Sequence, residues 1–111
     1  MSKLKDNYSC SMELTMDLIG GKWKIKILWH LNTGTKRFSE LKRLIPDITQ
    51  KMLTTQLREM ESNNLITRKV YAQVPPKVEY SLTKYGITLK NTLKEMCKWG
   101  TTYAIDHDIK L

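Results

Sequence analysis

Two thiols, two imidazoles and one dense run of hydrogen-bonding side chains are the groups in this sequence with chemistry to offer. The thiols are Cys10 and Cys97, and the imidazoles His30 and His107. None of them falls at metal-ligand spacing, so no metal and no cofactor is expected. There is no Gly-rich phosphate loop, no carboxylate pair in an apolar setting and no nucleophile with a base at readable spacing, which argues against an enzyme. The polar run is different in kind. Thr49, Gln50, Lys51, Thr54, Thr55 and Arg58 combine amide, hydroxyl and cationic groups at helical spacing. Such a set is able to read nucleic-acid bases: Gln50 can pair bidentately with adenine, and Lys51 or Arg58 with guanine.

The charge balance points the same way. With 19 Lys and Arg against 11 Asp and Glu, the 111 residues carry a formal charge of +8 and a sequence pI near 9.6. Such an excess attracts polyanions, either nucleic acid or an anionic membrane surface. A chain of this length has room for one compact domain, residues 1–111, with a modest core. Its apolar runs are broken by lysines, as in Trp23-Lys24-Ile25-Lys26-Ile27-Leu28-Trp29, and fall far short of the roughly 18 residues of a membrane span. The segment Met1-Ser2-Lys3-Leu4-Lys5-Asp6-Asn7 has no apolar stretch behind it and does not read as a secretory signal, so a cytoplasmic location is expected. Two cysteines are too few for a disulfide-stapled scaffold.

Positioning falls to helices. Met12, Met16 and Ile19 recur at i, i+4, i+7, with Leu14 and Leu18 beside them, and predict a short first helix closed by Gly20-Gly21. From Trp23 to Leu31 nearly everything except the lysines is apolar, the mark of a core helix. Ser39 at the N-cap and Glu40 in the first turn predict a short helix with Leu41, Leu44 and Ile45 on its inner face, ended by Pro46-Asp47. Thr49 caps the next helix, whose inner side is Leu53, Leu57 and Met60 with Met52 adjacent, and which stops at Asn63-Asn64.

The period then changes. Leu65 to Ala72 is rich in β-branched and aromatic residues, and Val78, Tyr80 and Leu82 alternate with Lys77, Glu79 and Ser81, predicting a hairpin with a stiff tip at Gln73-Val74-Pro75-Pro76-Lys77. From Thr83 one long helix is expected to run towards Ala104, with Leu89, Leu93, Met96, Gly100 and Tyr103 as its apolar stripe, broadened by Cys97 and Trp99. The fold class is thus mainly α with a small β-hairpin. A helix with a polar, cationic outer face, preceded by another across a tight turn, fits the major groove of duplex DNA. The adjoining hairpin, with Arg68, Lys69 and Lys77, would lie along the backbone as a wing.

Several segments carry a family resemblance. Gly20-Gly21-Lys22-Trp23-Lys24, Arg37-Phe38-Ser39-Glu40-Leu41, Ile48-Thr49-Gln50-Lys51-Met52-Leu53-Thr54 and Leu57-Arg58-Glu59-Met60-Glu61 are similar to the HxlR family of bacterial winged helix-turn-helix regulators. Pro76-Lys77-Val78-Glu79-Tyr80-Ser81-Leu82-Thr83 and Trp99-Gly100 extend the likeness, which covers Cys10 to Tyr103. The resemblance implies a transcriptional regulator of nearby genes, with a recognition helix starting at Thr49 and a homodimer held by the first and last helices. The expected dimer residues are Met12, Met16, Leu89, Leu93, Met96, Trp99 and Tyr103, and the expected DNA contacts add Arg37, Ser39 and Lys77 to the six residues above. Cys10 matches the N-terminal cysteine with which some members sense oxidants or electrophiles, although Ser11 stands where the family usually has proline. Lys3, Lys5 and the start of the first helix would favour its reactive thiolate form if they lie beside it.

Each functional reading has a plainer competitor. The basic helix face could be merely solvated, Cys97 reads best as a packing residue, and Trp23, Trp29 and Trp99 read as core aromatics before a ligand cage. His30, among Ile27, Leu28 and Leu31, reads as a core or surface histidine. The partners expected are double-stranded DNA and a second copy of the chain, with a small-molecule or oxidant effector beside them. The alternative function is a non-specific nucleic-acid-binding or architectural protein, against which stands the lack of an aromatic stacking platform.

Overall fold

Helix starts in this chain are set by polar caps at the points where the apolar period begins. The computed structural model describes residues 4–111; Lys3, one of the cations considered beside Cys10, lies outside the described residues. In chain order the elements are α1 (Ser11–Ile19), α2 (Lys24–Leu31), β1 (Lys36–Arg37), α3 (Phe38–Leu44), α4 (Gln50–Ser62), β2 (Ile66–Tyr71), β3 (Lys77–Leu82), α5 (Lys84–Thr88) and α6 (Lys90–Asp106). Thr49 Oγ1 accepts the Met52 amide at 3.0 Å and Thr83 Oγ1 accepts the Gly86 amide at 3.2 Å, so both threonines cap as expected. α3 begins earlier than a Ser39 cap allows. Glu40 Oε1 accepts the Arg37 amide at 2.8 Å, which closes the first turn around Arg37.

α4 ends at Ser62 with Asn63 as its C-cap, and Asn64 takes φ 60°, the left-handed conformation that asparagine tolerates better than most residues. The chain then enters an antiparallel sheet of order β1-β3-β2, with Arg68 opposite Tyr80 on one side and Lys36 opposite Tyr80 on the other. The hairpin is therefore joined by a third strand that the sequence pattern does not reveal, because two residues are too few to display a period. β1 runs directly into α3, so the wing and the first helix of the helix-turn-helix are tied through the backbone.

The core gathers Ile27, Leu28 and Leu31 from α2, Leu41 from α3, Leu53, Leu57 and Met60 from α4, and Ile66 and Tyr80 from the sheet. Truncating one of its fully buried members, such as Leu53 to alanine, costs about 2–5 kcal/mol. Leu44 instead lies at the rim, half exposed, where α3 ends before Pro46.

The final helix is two helices. α5 ends at Thr88, Leu89 donates its amide to the Gly86 carbonyl at 3.2 Å, and α6 starts afresh at Lys90. Gly86 permits the close approach behind this break, since a Cβ there would collide with the Leu65 carbonyl oxygen and crowd the Leu82 side chain. α6 buries only Leu93 and Ala104. The radius of gyration is 15.4 Å, where a compact chain of this length has about 13 Å.

Candidate nucleic-acid interface

The exposed face of α4 is built by its own cap and its own core contacts. Burial of Leu53, Leu57 and Met60 turns Lys51, Thr55 and Arg58 outward, while Thr49 fixes where the helix starts. Gln50 and Lys51, the first two residues of α4, are exposed, and among the described residues their side chains have no hydrogen-bond or ion-pair partner. Thr54 Oγ1 donates to the Gln50 carbonyl at 2.9 Å and Thr55 Oγ1 to the Lys51 carbonyl at 3.0 Å. Both hydroxyl protons are thus committed within the helix, so these threonines present a methyl group and acceptor lone pairs outward. Met52 also reaches the surface, where its sulfur accepts from Gln56 Nε2 at 3.3 Å.

The sheet supplies a second charged surface. Arg37 and Ser39, exposed at the start of α3, line a shallow cleft with Pro76 and Lys77 at the base of the hairpin tip. On β2 and β3 the Tyr71 ring lies under two ammonium groups, Lys69 at 4.8 Å and Lys77 at 4.5 Å from its centroid. Glu79 stands at the centre of this group. A hydrogen bond from Tyr71 holds its carboxyl below the usual carboxylate range, against the opposing effect of burial, and the charges of Lys77 and Arg37 act in the same direction as Tyr71. Lys77 Nζ lies 3.5 Å from Glu79 Oε2, so one wing lysine already has a counter-charge.

Away from this surface, α1 and α6 hold the thiols and the exposed apolar residues. Cys10 is exposed at the N-cap of α1, where its carbonyl accepts the Glu13 amide at 3.1 Å. Lys5 does not serve it: its ammonium bonds Glu13 Oε1 at 2.7 Å, and Tyr8 ties the same segment to Asp17 at 2.7 Å. Met12 and Met16 project outward from α1, and Met96, Trp99 and Tyr103 from α6. Leu93, by contrast, is only 2% exposed within its own core, and Leu89 packs against that core, so these two serve the chain's own packing. Trp99 is 71% exposed and stacks on Tyr103 at 5.6 Å between centroids, and Tyr103 stacks on His107 at 3.9 Å.

The expectations for Cys97 and for two of the tryptophans also change with these placements. Cys97 is exposed rather than packed, at the edge of a groove of about 280 Å³ that it shares with Trp29, His30 and Met96. Trp29 is itself partly exposed there, so of the three tryptophans only Trp23 packs against the core. The groove escapes a sequence reading because α2 and α6 are far apart in the chain, and periodicity within either helix says nothing of the gap between them.

Comparison with known proteins agrees with this architecture. Residues 18–108 match the model of the HxlR-like helix-turn-helix family. YkvN of Bacillus subtilis, an HTH-type transcriptional regulator, is 58% identical over 97 residues, covering 87% of this chain and 82% of its own. The redox regulator HypR superimposes in its oxidised form with a TM-score of 0.80 at 53% identity, covering 84% of this chain and 96% of its own. Its reduced form gives 0.81 at 52% identity, over 84% and 92% of the two chains. Among the described residues no helix is long and apolar enough to cross a membrane. By sequence and by fold, the chain belongs to the HxlR-like helix-turn-helix family of DNA-binding transcriptional regulators, a non-catalytic family.

Proposed function

We propose that this chain is a sequence-specific regulator that binds an inverted-repeat operator as a homodimer, with α4 in the major groove and the hairpin as wing. The observation that carries the reading is the start of α4. Thr49 fixes the first turn, and the unpartnered Gln50 and Lys51 side chains stand on it where base edges are read, with Thr54 and Thr55 one turn further along. Arg37, Ser39 and Lys77 lie at the flank, where contacts to phosphates set orientation without reading sequence. The exposed apolar residues of α1 and α6 support a dimer, and a dimer on duplex DNA matches half-sites about one helical turn apart.

Cys10 is the thiol through which oxidants or electrophiles act in this reading. Its exposure at the N-cap of the helix bearing Met12 and Met16 couples a change at sulfur to the dimer contact, and the likeness to HypR, described as a redox regulator, supports it. A preference of about 1.4 kcal/mol between two arrangements of the dimer changes operator affinity about tenfold.

Fluorescence anisotropy of the reduced protein on the DNA upstream of its own gene, against a scrambled duplex and across a salt series, tests the first claim. A preference of about a thousandfold is expected. Equal, steeply salt-dependent binding to both duplexes favours an architectural protein instead. Diamide treatment tests the second claim, and a Cys10→Ser protein whose affinity still responds fully to diamide removes this thiol from the mechanism.

A further inference from the structure

Between α4 and the sheet lies a polar cleft of about 300 Å³, lined by Phe38, Thr54, Arg58, Glu61, Arg68 and Tyr80. Its two cations come from different elements. Arg58 belongs to the third turn of α4, and Arg68 to the middle of β2, directly opposite Tyr80 in β3. Both are exposed, and among the described residues neither has a carboxylate within ion-pair distance, whereas Lys5, Lys24, Lys77 and Lys98 are each paired. The one carboxylate lining the cleft, Glu61, is not within ion-pair distance of either arginine, so two cations against one anion leave the cleft a net positive charge that a bound anion neutralises. The planar fork of each matches the oxygens of a phosphate.

Position along the helix separates Arg58 from the base-reading residues. It comes eight residues after Gln50, roughly 12 Å further along the axis, whereas base contacts cluster at the N-terminal part of a recognition helix. Thr54, whose hydroxyl proton goes to the Gln50 carbonyl, offers the cleft no donor.

We infer that this cleft seats one phosphodiester of DNA, held by Arg58 from the recognition helix and Arg68 from the wing. The inference rests on the DNA-binding reading above and assigns Arg58 to the backbone rather than to guanine. A phosphate shared by both elements fixes the angle at which α4 enters the groove. Glu61, on the cleft wall, opposes the anion and limits how tightly any phosphate is held.

The test compares wild type, Arg58→Ala, Arg68→Ala, the double variant and Arg58→Lys on the upstream duplex and on a scrambled one. Thermal melting serves as a control for folding. Each alanine variant is expected to weaken binding to both duplexes by the same factor, about tenfold, and to flatten the salt slope by about one unit. Because one phosphate serves both arginines, the double variant should lose less than the product of the two, and Arg58→Lys should keep most of the slope. An Arg58→Ala protein that loses discrimination but keeps its scrambled-duplex affinity and salt slope would return Arg58 to base reading and overturn the seat. Inorganic phosphate at matched ionic strength that raises the melting temperature of wild type but not of Arg68→Ala, with DNA salt slopes unchanged, would assign the cleft to a free anion and overturn the diester. Wild-type protein that binds neither duplex sinks the underlying DNA reading, whereas wild-type binding matched by every variant sinks the seat alone.

Discussion

The ammonium of Lys24 lies 2.9 Å from Glu59 Oε1, joining the first turn of the core helix α2 to the inner flank of the recognition helix α4. Both side chains are largely withdrawn from solvent, 10% and 24% exposed, so the pair is neither a surface contact nor fully interior. Removing one partner leaves the other poorly solvated and uncompensated. Glu59→Gln is expected to lower unfolding stability by about 1–3 kcal/mol, read by urea titration. The double variant Lys24→Met with Glu59→Leu should recover most of that loss, because apolar residues fill the same space without a charge to desolvate. Equal stability of Glu59→Gln and wild type would mean that the pair is solvated after all.

Lys24 also marks the limit of what the sequence tells. The pattern from Trp23 to Leu31 identifies α2 as the core helix, and Lys24 reads there as an interruption. It is buried because Glu59, far away in the chain, stands opposite it, and no period within one helix reports a partner on another. The same reason separates the legible parts of the site from the rest. The Thr49 cap, the outward face of α4 and the hairpin follow from local rules. The β1 strand, the break at Leu89, the burial of Leu93 and the cleft between Arg58 and Arg68 depend on contacts between elements.

On the wing, the pairing of Lys77 with Glu79 changes what a charge deletion should do. A lysine with a carboxylate 3.5 Å away is already partly neutralised, so it releases less than one counter-ion's worth of affinity when it meets a phosphate. Lys77→Ala should therefore weaken binding to operator and scrambled duplexes alike, with the salt slope flattened by less than about one unit. Glu79→Gln should do the reverse, tightening binding to both duplexes and steepening the slope, since it frees Lys77 and removes a negative charge from the face. Anisotropy titrations in parallel salt series measure both, and a Glu79→Gln protein that binds more weakly would show that Glu79 acts chiefly by holding Tyr71 in place.

His30 gives the fold a pH dependence near neutrality. Burial, and secondarily the charge of Lys36, hold its pKa below the usual 6.5. The unfolded chain therefore binds the proton first, and the contribution of neutral His30 is complete above pH 6.5 and lost as the pH falls towards the folded value. Glu13, held down by its hydrogen bond and charge interaction with Lys5, and Glu79, held down by Tyr71, act with the same sign but below the ordinary carboxylate value of 4.5. Thermal melts between pH 7.5 and 5.5 thus stay clear of both carboxylates. The melting temperature of wild type should fall across that window by more than that of His30→Gln, and equal falls would remove His30 as the cause.

The aromatic ladder on α6 bears on assembly. Trp99, Tyr103 and His107 follow one another at four-residue intervals on one face of the helix and stack in sequence, with Trp99 71% exposed. An exposed tryptophan makes few contacts with its own chain, so replacing it tests an interface with little effect on the fold. Trp99→Lys should shift the protein from dimer to monomer in sedimentation velocity at micromolar concentration, while its melting curve at high dilution matches that of wild type. Operator affinity should then fall by about a hundredfold or more, because two linked half-site contacts become two independent ones. The Thr49 cap and the Gln50 and Lys51 side chains are untouched by this change. Weak binding to a single half-site should accordingly survive in the variant. A Trp99→Lys protein that remains dimeric would take α6 out of the interface and leave Met12 and Met16 of α1 to carry it.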